Sequence, residues 1–398
     1  MSASDIRDQI PAAGLTEYWY PALKEKAVGT KPVGLKLLGQ DIVFFRGQSG
    51  QVAALANACP HRGGSLMHGD CHYRGTVACP YHGWVFNEKG ECLAVLSEGP
   101  ESPIPDLART RAYPTRTLRG LVFIWMGEGM PAAIEQDVPP EFFDGEKTLV
   151  FSVVGSWPVN WRVALENSLD SHVMYVHRNS VLQLSEPLVQ IGHIGYRPRV
   201  VNDQAVIGYL TEAPTSGRHY YPKLKAYWPK TEFRRLWTWL FRSRRTWADF
   251  PPFNNNPEWD MDTVIDGKRM RAGGHHLPSM FRVPYGMYMY TRACVPIDEN
   301  NTRIFYYHGV RPRTAWGRLV YRVYFHVLYD WLRHTNFSRQ DFSVMRPQRY
   351  DLPETLSATD SEVVAWRRLL LKARKNPGQE TEPVGDRPEI RIVSTANS

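Results

Sequence analysis

A chain of 398 residues, 43% of them hydrophobic, is long enough to bury two cores, so we expect two domains. The net charge of +8 and a pI of about 9.2 come without a block of five like charges, which favours a globular protein with one basic face over a charged tail. With no run of eighteen apolar residues, no apolar signal core at the start and five cysteines, the sequence predicts no membrane span and a reducing, cytoplasmic location.

The first part of the chain has the pattern of a small antiparallel β module. Short β-like runs at Gly34 to Leu38, Asp41 to Arg46 and Val52 to Ala56 are separated by glycine-containing turns. The run from Arg119 to Met126 predicts a buried strand that closes the module. A Gly/Pro-rich stretch at 127–140 follows it, and we expect a domain boundary there.

Two loops in this module combine thiols with imidazoles. One offers Cys59 and His61, and the other offers Cys79 and His82, with seventeen residues between His61 and Cys79. Two thiolates and two imidazoles can bind a tetrahedral zinc, or a two-iron cluster with both cysteines on one iron and both histidines on the other. Glycines adjoin both loops, at Gly63, Gly64 and Gly83. Their close backbone approach favours a cluster with exposed sulfides over zinc.

The two loops, with their glycines and Trp84, resemble the Rieske iron-sulfur motif. Respiratory Rieske proteins carry an additional cysteine in each loop, and Tyr81 and Gly64 occupy those places here. The resemblance therefore implies the low-potential centre of oxygenases, with electrons arriving from a ferredoxin or a flavin-dependent reductase. We expect His68 and His72, between the loops, to face solvent, and the other three cysteines to be ordinary thiols.

A second constellation lies between Glu166 and His177. His172 and His177 are separated by four residues and, with a carboxylate from elsewhere, could bind one divalent metal with open coordination positions. On a regular helix Asp170 and His177 share a face, whereas His172 and His177 lie about 140° apart. We therefore predict a local widening or break near His172. The alternative is that one histidine is not a ligand and that Glu166 or Asp170 substitutes for it.

The segment Asn160-Trp161-Arg162, into which strand signals from Leu149 run, extends the resemblance to the Rieske ring-hydroxylating oxygenases. In that family such a segment leads into a helix with an Asp and two iron-binding histidines, and the third iron ligand is a distant Asp. Asp341, near the end of a helical run from Trp316, is the best candidate, and Asp351 and Asp330 are the alternatives. The spacing departs from the family pattern, because one residue instead of two separates Asp170 from His172.

The resemblance also implies an assembly. Family members pass electrons from the cluster of one subunit to the iron of its neighbour through a bridging carboxylate, a role that falls to Asp170, between His82 of the adjacent chain and His172 or His177. This implies a homotrimer. The carbazole dioxygenase type is most similar, on three scaffold segments: 36–39, 295–300 and 364–367.

Four further patterns carry expectations. The stretch 234–245 sets five arginines around large apolar residues and could be a membrane-surface helix, a lid, a docking patch or a basic helix with a core-facing side. The aromatic run from Tyr321 to Trp331 predicts core behind the active site. Thr359 to Glu362 reads as a capping box before an amphipathic helix that ends at Leu371. The polar tail from Asn376 onward is expected to be disordered.

Together these patterns predict an α+β protein. A Rieske β domain at 1–130 precedes a catalytic domain at 131–398, whose curved antiparallel sheet wraps around helices in the helix-grip, START-like manner. The predicted activity is that of the terminal oxygenase of a multicomponent Rieske system, with a [2Fe-2S] cluster and a mononuclear Fe(II). It would use O2 and electrons from a ferredoxin or an NAD(P)H reductase to hydroxylate an aromatic, heteroaromatic or polycyclic compound.

Alternatives from the same and other classes stay open. A Rieske monooxygenase could remove O- or N-methyl groups or hydroxylate a steroid. An electron-transfer Rieske protein would need no iron beyond the two of its cluster. A zinc-bearing interaction module would need no iron at all. The chain has no Gly-x-Gly-x-x-Gly fingerprint, so a separate reductase is implied, and it shows no nucleic-acid-binding motif.

Overall fold

The computed structural model describes residues 3–169, 176–177, 196–210, 262–265, 268–271, 273–285, 288–350, 352–357 and 360–374. Several predicted features lie outside these residues: Asp170, His172, Asp351, Thr359, the arginine-rich stretch 234–245 and the tail from Asn376. Within the described ranges, no helix has the length and apolar composition that crossing a bilayer requires.

Ten short strands build the N-terminal module. They are β1 to β10, at Trp19–Lys24, Val33–Leu37, Gln40–Arg46, Val52–Ala56, Thr76–Ala78, Trp84–Asn87, Cys92–Val95, Ala112–Tyr113, Thr115–Leu118 and Leu121–Trp125. Three antiparallel sheets result, in the orders β1-β10-β9, β2-β3-β4-β8 and β5-β6-β7. The predicted β module is confirmed, and every residue of β10 is buried.

The second part of the chain forms a large antiparallel sheet. Its strands are β11 to β19, at Leu149–Trp157, Tyr196–Val201, Ala205–Leu210, Asp262–Ile265, Lys268–Arg271, Gly273–His276, Met280–Tyr285, Tyr288–Pro296 and Thr302–Val310. Seven of them pair in the order β11-β19-β18-β17-β16-β13-β12, and β14 pairs with β15. Sheet and helices together confirm the α+β class.

In the described part of the chain, five α-helices accompany the sheets. They are α1 to α5, at Ala3–Gln9, Trp161–Glu166, Ala315–Tyr324, Ser338–Met345 and Ser361–Leu371. Two π-helical stretches, Phe325–Tyr329 and Trp331–Phe337, connect α3 to α4 in one long run. The predicted helical run from Trp316 is therefore confirmed, and Asp341 lies in the first turn of α4.

Two local predictions were wrong. The strand pattern from Leu149 does not run into the Asn160 segment, because the Asn160 side chain accepts a hydrogen bond from the Arg162 amide at 3.0 Å and starts α2. The capping box before α5 does not form as predicted, since the cap position is Asp360. Its carboxylate accepts hydrogen bonds from Ser357 instead of from the helix amides.

The two faces of the large sheet have different roles. On one face of β18 and β19, Tyr290 and His308 point toward α3, α4 and the turns between them. On the other face, Tyr307 contacts Phe142, which in turn contacts Phe123 of β10. The sheet thus joins the N-terminal module through one face and holds the helices that carry candidate site residues on the other.

A tight turn of the N-terminal module docks on the second part of the chain. Leu38 and Gly39, both at positive φ, form the turn between β2 and β3. Their amides donate to the carbonyls of Pro296 and Ile297, each at 2.9 Å. Two of the three scaffold segments that resemble the carbazole type therefore bind each other.

Candidate metal centres

Both cysteine-containing loops have the same backbone design. The Cys59 amide donates to the Gly64 carbonyl at 2.8 Å, and the Gly63 amide donates back to Cys59 at 2.9 Å. In the second loop, Cys79 pairs with the Trp84 carbonyl at 2.8 Å, and Gly83 donates to Cys79 at 3.1 Å. Gly63 and Gly83 have φ values of +72° and +67°, which favour glycine at both turns.

The two thiols lie buried and close together. Burial, opposed by a hydrogen bond from the His61 backbone and reinforced by the neighbouring Cys79, raises the pKa of Cys59 to about 12. Such a thiol remains protonated at neutral pH unless a bound metal takes the place of its proton. A Cβ added at Gly64 would lie 3.0 Å from the Cys79 sulfur, so a side chain there would crowd the sulfur end of the site.

The two imidazoles form the outer edge of this site. The rings of His61 and His82 are 4.7 Å apart, and they stack on Trp84 and Tyr81 respectively. The Nδ1 atom of His82 is buried and makes no hydrogen bond. A ring nitrogen held in this way fits a metal ligand, because a buried polar atom without a partner is otherwise costly.

The arrangement fits a two-iron cluster better than a single ion. Across the described residues, no three His, Cys, Asp or Glu side chains are placed to bind one metal ion together. A [2Fe-2S] cluster needs only two protein ligands on each iron, with cysteines on one and histidines on the other. Buried Cys59 and Cys79 facing exposed His61 and half-buried His82 match that division. The predicted solvent exposure of His68 and His72 is confirmed.

A second centre begins with His177 and Asp341. The His177 Nε2 atom lies 3.1 Å from Asp341 Oδ1, and the two side chains are only 1% and 5% exposed. Nevertheless neither atom makes a hydrogen bond of acceptable geometry, and the Nδ1 atom of His177 has no partner either. Buried polar atoms this close together without a hydrogen bond fit two ligands of one metal ion. Phe337 stacks on the His177 ring at 3.4 Å and holds its orientation.

The structure places the competing carboxylates elsewhere. Glu166 receives two hydrogen bonds from Arg367, at 2.8 and 2.7 Å, so its carboxylate is occupied. Asp330 is 42% exposed and lies 3.9 Å from His334. Asp170 and His172 belong to residues that the structure does not describe, so the role of each remains a prediction.

Three contacts hold α2 and the turn that follows it in place. Ser168 donates its hydroxyl hydrogen to the Leu165 carbonyl at 2.5 Å and lies 2.9 Å from His275 Nε2. Because that hydrogen is already used, His275 donates from Nε2 and is neutral, in agreement with a pKa that burial lowers well below its ordinary value. Arg292 holds the same helix by donating to the Ala164 carbonyl at 2.9 Å.

Sequence reasoning missed a polar cluster beside this centre. Within the predicted aromatic core, Tyr321, Phe325 and Tyr329 are buried as expected, although several of their neighbours are exposed. His308 of β19 and His334 lie against this core with their Nε2 atoms 3.0 Å apart. In the sequence, the only indication of a polar cluster was that His308 occupies an inward-facing position of an apolar strand.

Comparison with known proteins agrees with this organisation. A family model described as the Rieske [2Fe-2S] domain matches residues 18–113, and one described as a homotrimeric ring hydroxylase matches residues 125–227.

Two curated relatives are similar over part of their length. The terminal oxygenase component of carbazole 1,9a-dioxygenase from Metapseudomonas resinovorans is 30% identical over 205 residues, covering 48% of this chain and 52% of that protein. The 3-chlorobenzoate-3,4-dioxygenase oxygenase subunit of Comamonas testosteroni is 32% identical over 225 residues, covering 54% of this chain and 50% of that protein. The chain thus matches about half the length of these relatives.

A solved structure matches over nearly the whole chain. The oxygenase in the reduced oxygenase–ferredoxin complex of carbazole 1,9a-dioxygenase superposes with a TM-score of 0.70 at 23% identity, covering 92% of this chain and 93% of that one. Likeness at this identity establishes the fold.

Proposed function

Because the chain carries a Rieske domain followed by a ring-hydroxylase domain, as the Rieske ring-hydroxylating oxygenases do, we propose that it is the terminal oxygenase of a multicomponent Rieske system. It hydroxylates an aromatic, heteroaromatic or polycyclic compound with O2. The observation that carries the proposal is the buried pair of His177 and Asp341, whose facing atoms lie 3.1 Å apart without a hydrogen bond. An electron-transfer protein would have no use for such a pair.

We assign the [2Fe-2S] cluster to Cys59, His61, Cys79 and His82, and the mononuclear iron to His172, His177 and Asp341. Free thiols, the unpartnered Nδ1 of His82 and the unpartnered atoms of His177 and Asp341 support these assignments. When bound, the cluster supplies electrons one at a time and the iron supplies the site where dioxygen reacts beside the substrate.

The protein residues around these groups have distinct tasks. Phe337 fixes the ring of His177, and the burial of His177 and Asp341 keeps water from the reaction. The exposed edge formed by His61 and His82 lets a neighbouring subunit approach the cluster. We propose that Asp170 makes the link there, between His82 of one subunit and the iron-binding histidines of the next.

The remaining parts of the proposal concern assembly and location. The description of the ring-hydroxylase model supports a homotrimer, and the ferredoxin complex of the similar oxygenase supports a ferredoxin as donor, with a flavin-dependent reductase as the alternative. We place the domain boundary near residue 130. We place the protein in the cytoplasm because all five cysteines are free thiols, which suits a reducing compartment.

The decisive experiment is a single turnover of the reduced, iron-replete protein under labelled dioxygen. Pooled aromatic, heteroaromatic, methoxylated and steroid compounds are offered, and products are analysed by mass. Two labelled oxygens in one product indicate a dioxygenase, and one labelled oxygen or a lost methyl group indicates a monooxygenase. Iron content is measured in parallel, since an oxygenase binds one iron beyond the cluster. A protein with cluster iron alone and no labelled product would refute the proposal.

A further inference from the structure

The buried histidines His308 and His334 form a hydrogen-bonded pair that no role described above explains. His308 is fully buried on β19, and His334 lies on the π-helical stretch that precedes α4. Their Nε2 atoms are 3.0 Å apart, so one ring donates and the other accepts. We call the two side chains the histidine dyad.

The dyad is electrically neutral. Burial lowers the pKa of His308 well below its ordinary value, and the neighbouring His334 and Arg333 lower it further. Burial, with a smaller contribution from Arg333, lowers the pKa of His334 to about 3. Two neutral imidazoles joined through Nε2 leave one Nδ1 as an N–H donor and the other as an acceptor. If the proton of the Nε2–Nε2 hydrogen bond and the Nδ1 proton both change rings, the donor and acceptor Nδ1 atoms exchange roles. Each Nδ1 atom can therefore bind either a hydrogen-bond donor or an acceptor.

Both outer nitrogens of the dyad lack a partner. The Nδ1 atoms of His308 and His334 are buried and make no hydrogen bond, and the nearby Tyr288 hydroxyl is in the same condition. The cluster is otherwise aromatic, since Tyr290, Phe325 and Tyr306 surround it. Unpartnered polar atoms among aromatic rings are costly to bury, so they call for a polar group of a bound molecule or a trapped water.

Three side chains in contact, Phe337, Arg333 and Tyr290, connect the proposed iron site to the dyad. Phe337 stacks on His177 on one side and receives the Arg333 guanidinium at 4.2 Å from its ring centre. That guanidinium also lies 4.3 Å from the centre of Tyr290, whose ring is 5.4 Å from His308. His334 precedes Asp341 by seven residues on a helical run that is π-helical up to Phe337, so the rise between them is somewhat less than the rise of about 10 Å in a regular α-helix. This is roughly the length of a molecule of two or three aromatic rings.

We propose that the histidine dyad is a recognition site for an uncharged hydrogen-bonding group, such as a hydroxyl or a ring N–H, at the end of an aromatic substrate remote from the oxidised carbon. The inference rests on the proposed function and narrows its substrate class. A substrate with an apolar group in that position leaves an Nδ1 atom unpaired and binds less well.

The test compares matched probes on the anaerobic, resting protein by calorimetric titration. The probes are 4-hydroxybiphenyl, 4-methylbiphenyl and biphenyl-4-carboxylate, which share a ring system and differ in one substituent. We expect the hydroxyl probe to bind about tenfold more tightly than the methyl probe, the ratio that one buried hydrogen bond gives. Equal affinities of these two probes in the wild-type protein would overturn the proposal without any variant.

Variants then assign the preference to the dyad. His334→Phe should bring the two affinities together, whereas His334→Asn, whose amide lies near the position of Nδ1, should restore part of the difference. His326→Phe is the matched control, because His326 is an exposed histidine on the same helical run. A preference that survives His334→Phe and also favours the carboxylate would assign recognition to Arg333 and contradict the proposal.

The result is separable from that of the proposed function. A binding preference in a protein that holds cluster iron alone and gives no labelled product refutes the oxygenase and leaves the recognition site standing. Labelled products without a binding preference do the reverse, and identify the dyad as a structural pair that a trapped water completes.

Discussion

At the scale of single residues, the second metal centre depends on two side chains from distant parts of the chain. His177 and Asp341 are buried against each other, and each would leave an uncompensated polar group without a cation between them.

We predict that His177→Ala loses the mononuclear iron, about one third of the total iron, and lowers turnover to background. The visible absorption of the cluster should be unchanged, because His177 is not one of the four residues assigned to the cluster. Iron analysis and absorption spectroscopy measure both, with solvent-facing His68→Ala as the control, and full iron in the His177 variant would contradict the assignment.

A second residue-scale prediction concerns Glu362 in the first turn of α5. Burial raises the pKa of Glu362 from an ordinary value of 4.5 to about 7, and its Oε1 atom has no hydrogen-bond partner. Since the folded-state pKa is raised, the stability that the protonated group contributes is fully present below 4.5 and is lost as the pH rises through 7. The loss amounts to about 3 kcal/mol.

The substitution Glu362→Gln removes this dependence on pH. We expect the variant to be more stable than the wild-type protein at about pH 8.5 and nearly equal to it at about pH 5, as judged by urea midpoints. Glu146→Gln serves as the control, because the Glu146 side chain is almost fully exposed. A difference between the wild-type and variant midpoints that does not grow between these two pH values would show that Glu362 is solvated.

At the scale of elements, the strength of the sequence signal decided what could be predicted. The strand at 119–126, the helical run from Trp316 and the end of α5 at Leu371 all followed from apolar periodicity, which local burial imposes. The two cysteine loops were predictable because ligand spacing and glycine positions are local constraints. The capping box was not, since the side chain of Asp360 found a competing partner in Ser357.

Contacts between distant parts of the chain could not be predicted from the sequence. The π-helical turns between α3 and α4 arise where a helix must fit a surface, and no residue pattern encodes them. They set which side chains face the sheet, and so they bring His334 to His308 across 26 positions of sequence. Likewise, the convergence of His177 and Asp341 could be supposed only from a family resemblance, because 164 positions separate them in the chain.

At the scale of the whole molecule, electron transfer between subunits distinguishes an assembled oxygenase from a chain that works alone. The edge formed by exposed His61 and half-buried His82 reaches the protein surface, whereas His177 and Asp341 are buried. We predict that two inactive variants, Cys79→Ala without a cluster and His177→Ala without the mononuclear iron, regain activity when they assemble together. A ring of three subunits that contains both variants has one interface in three that joins an intact cluster to an intact iron, so the mixed assemblies should regain about one third of wild-type turnover. Coexpression with two affinity tags isolates the mixed assemblies, and separately purified variants combined just before the assay are the control. Mixed assemblies that remain as inactive as either parent would mean that each cluster serves only the iron of its own subunit, which would remove the proposed bridging role of Asp170.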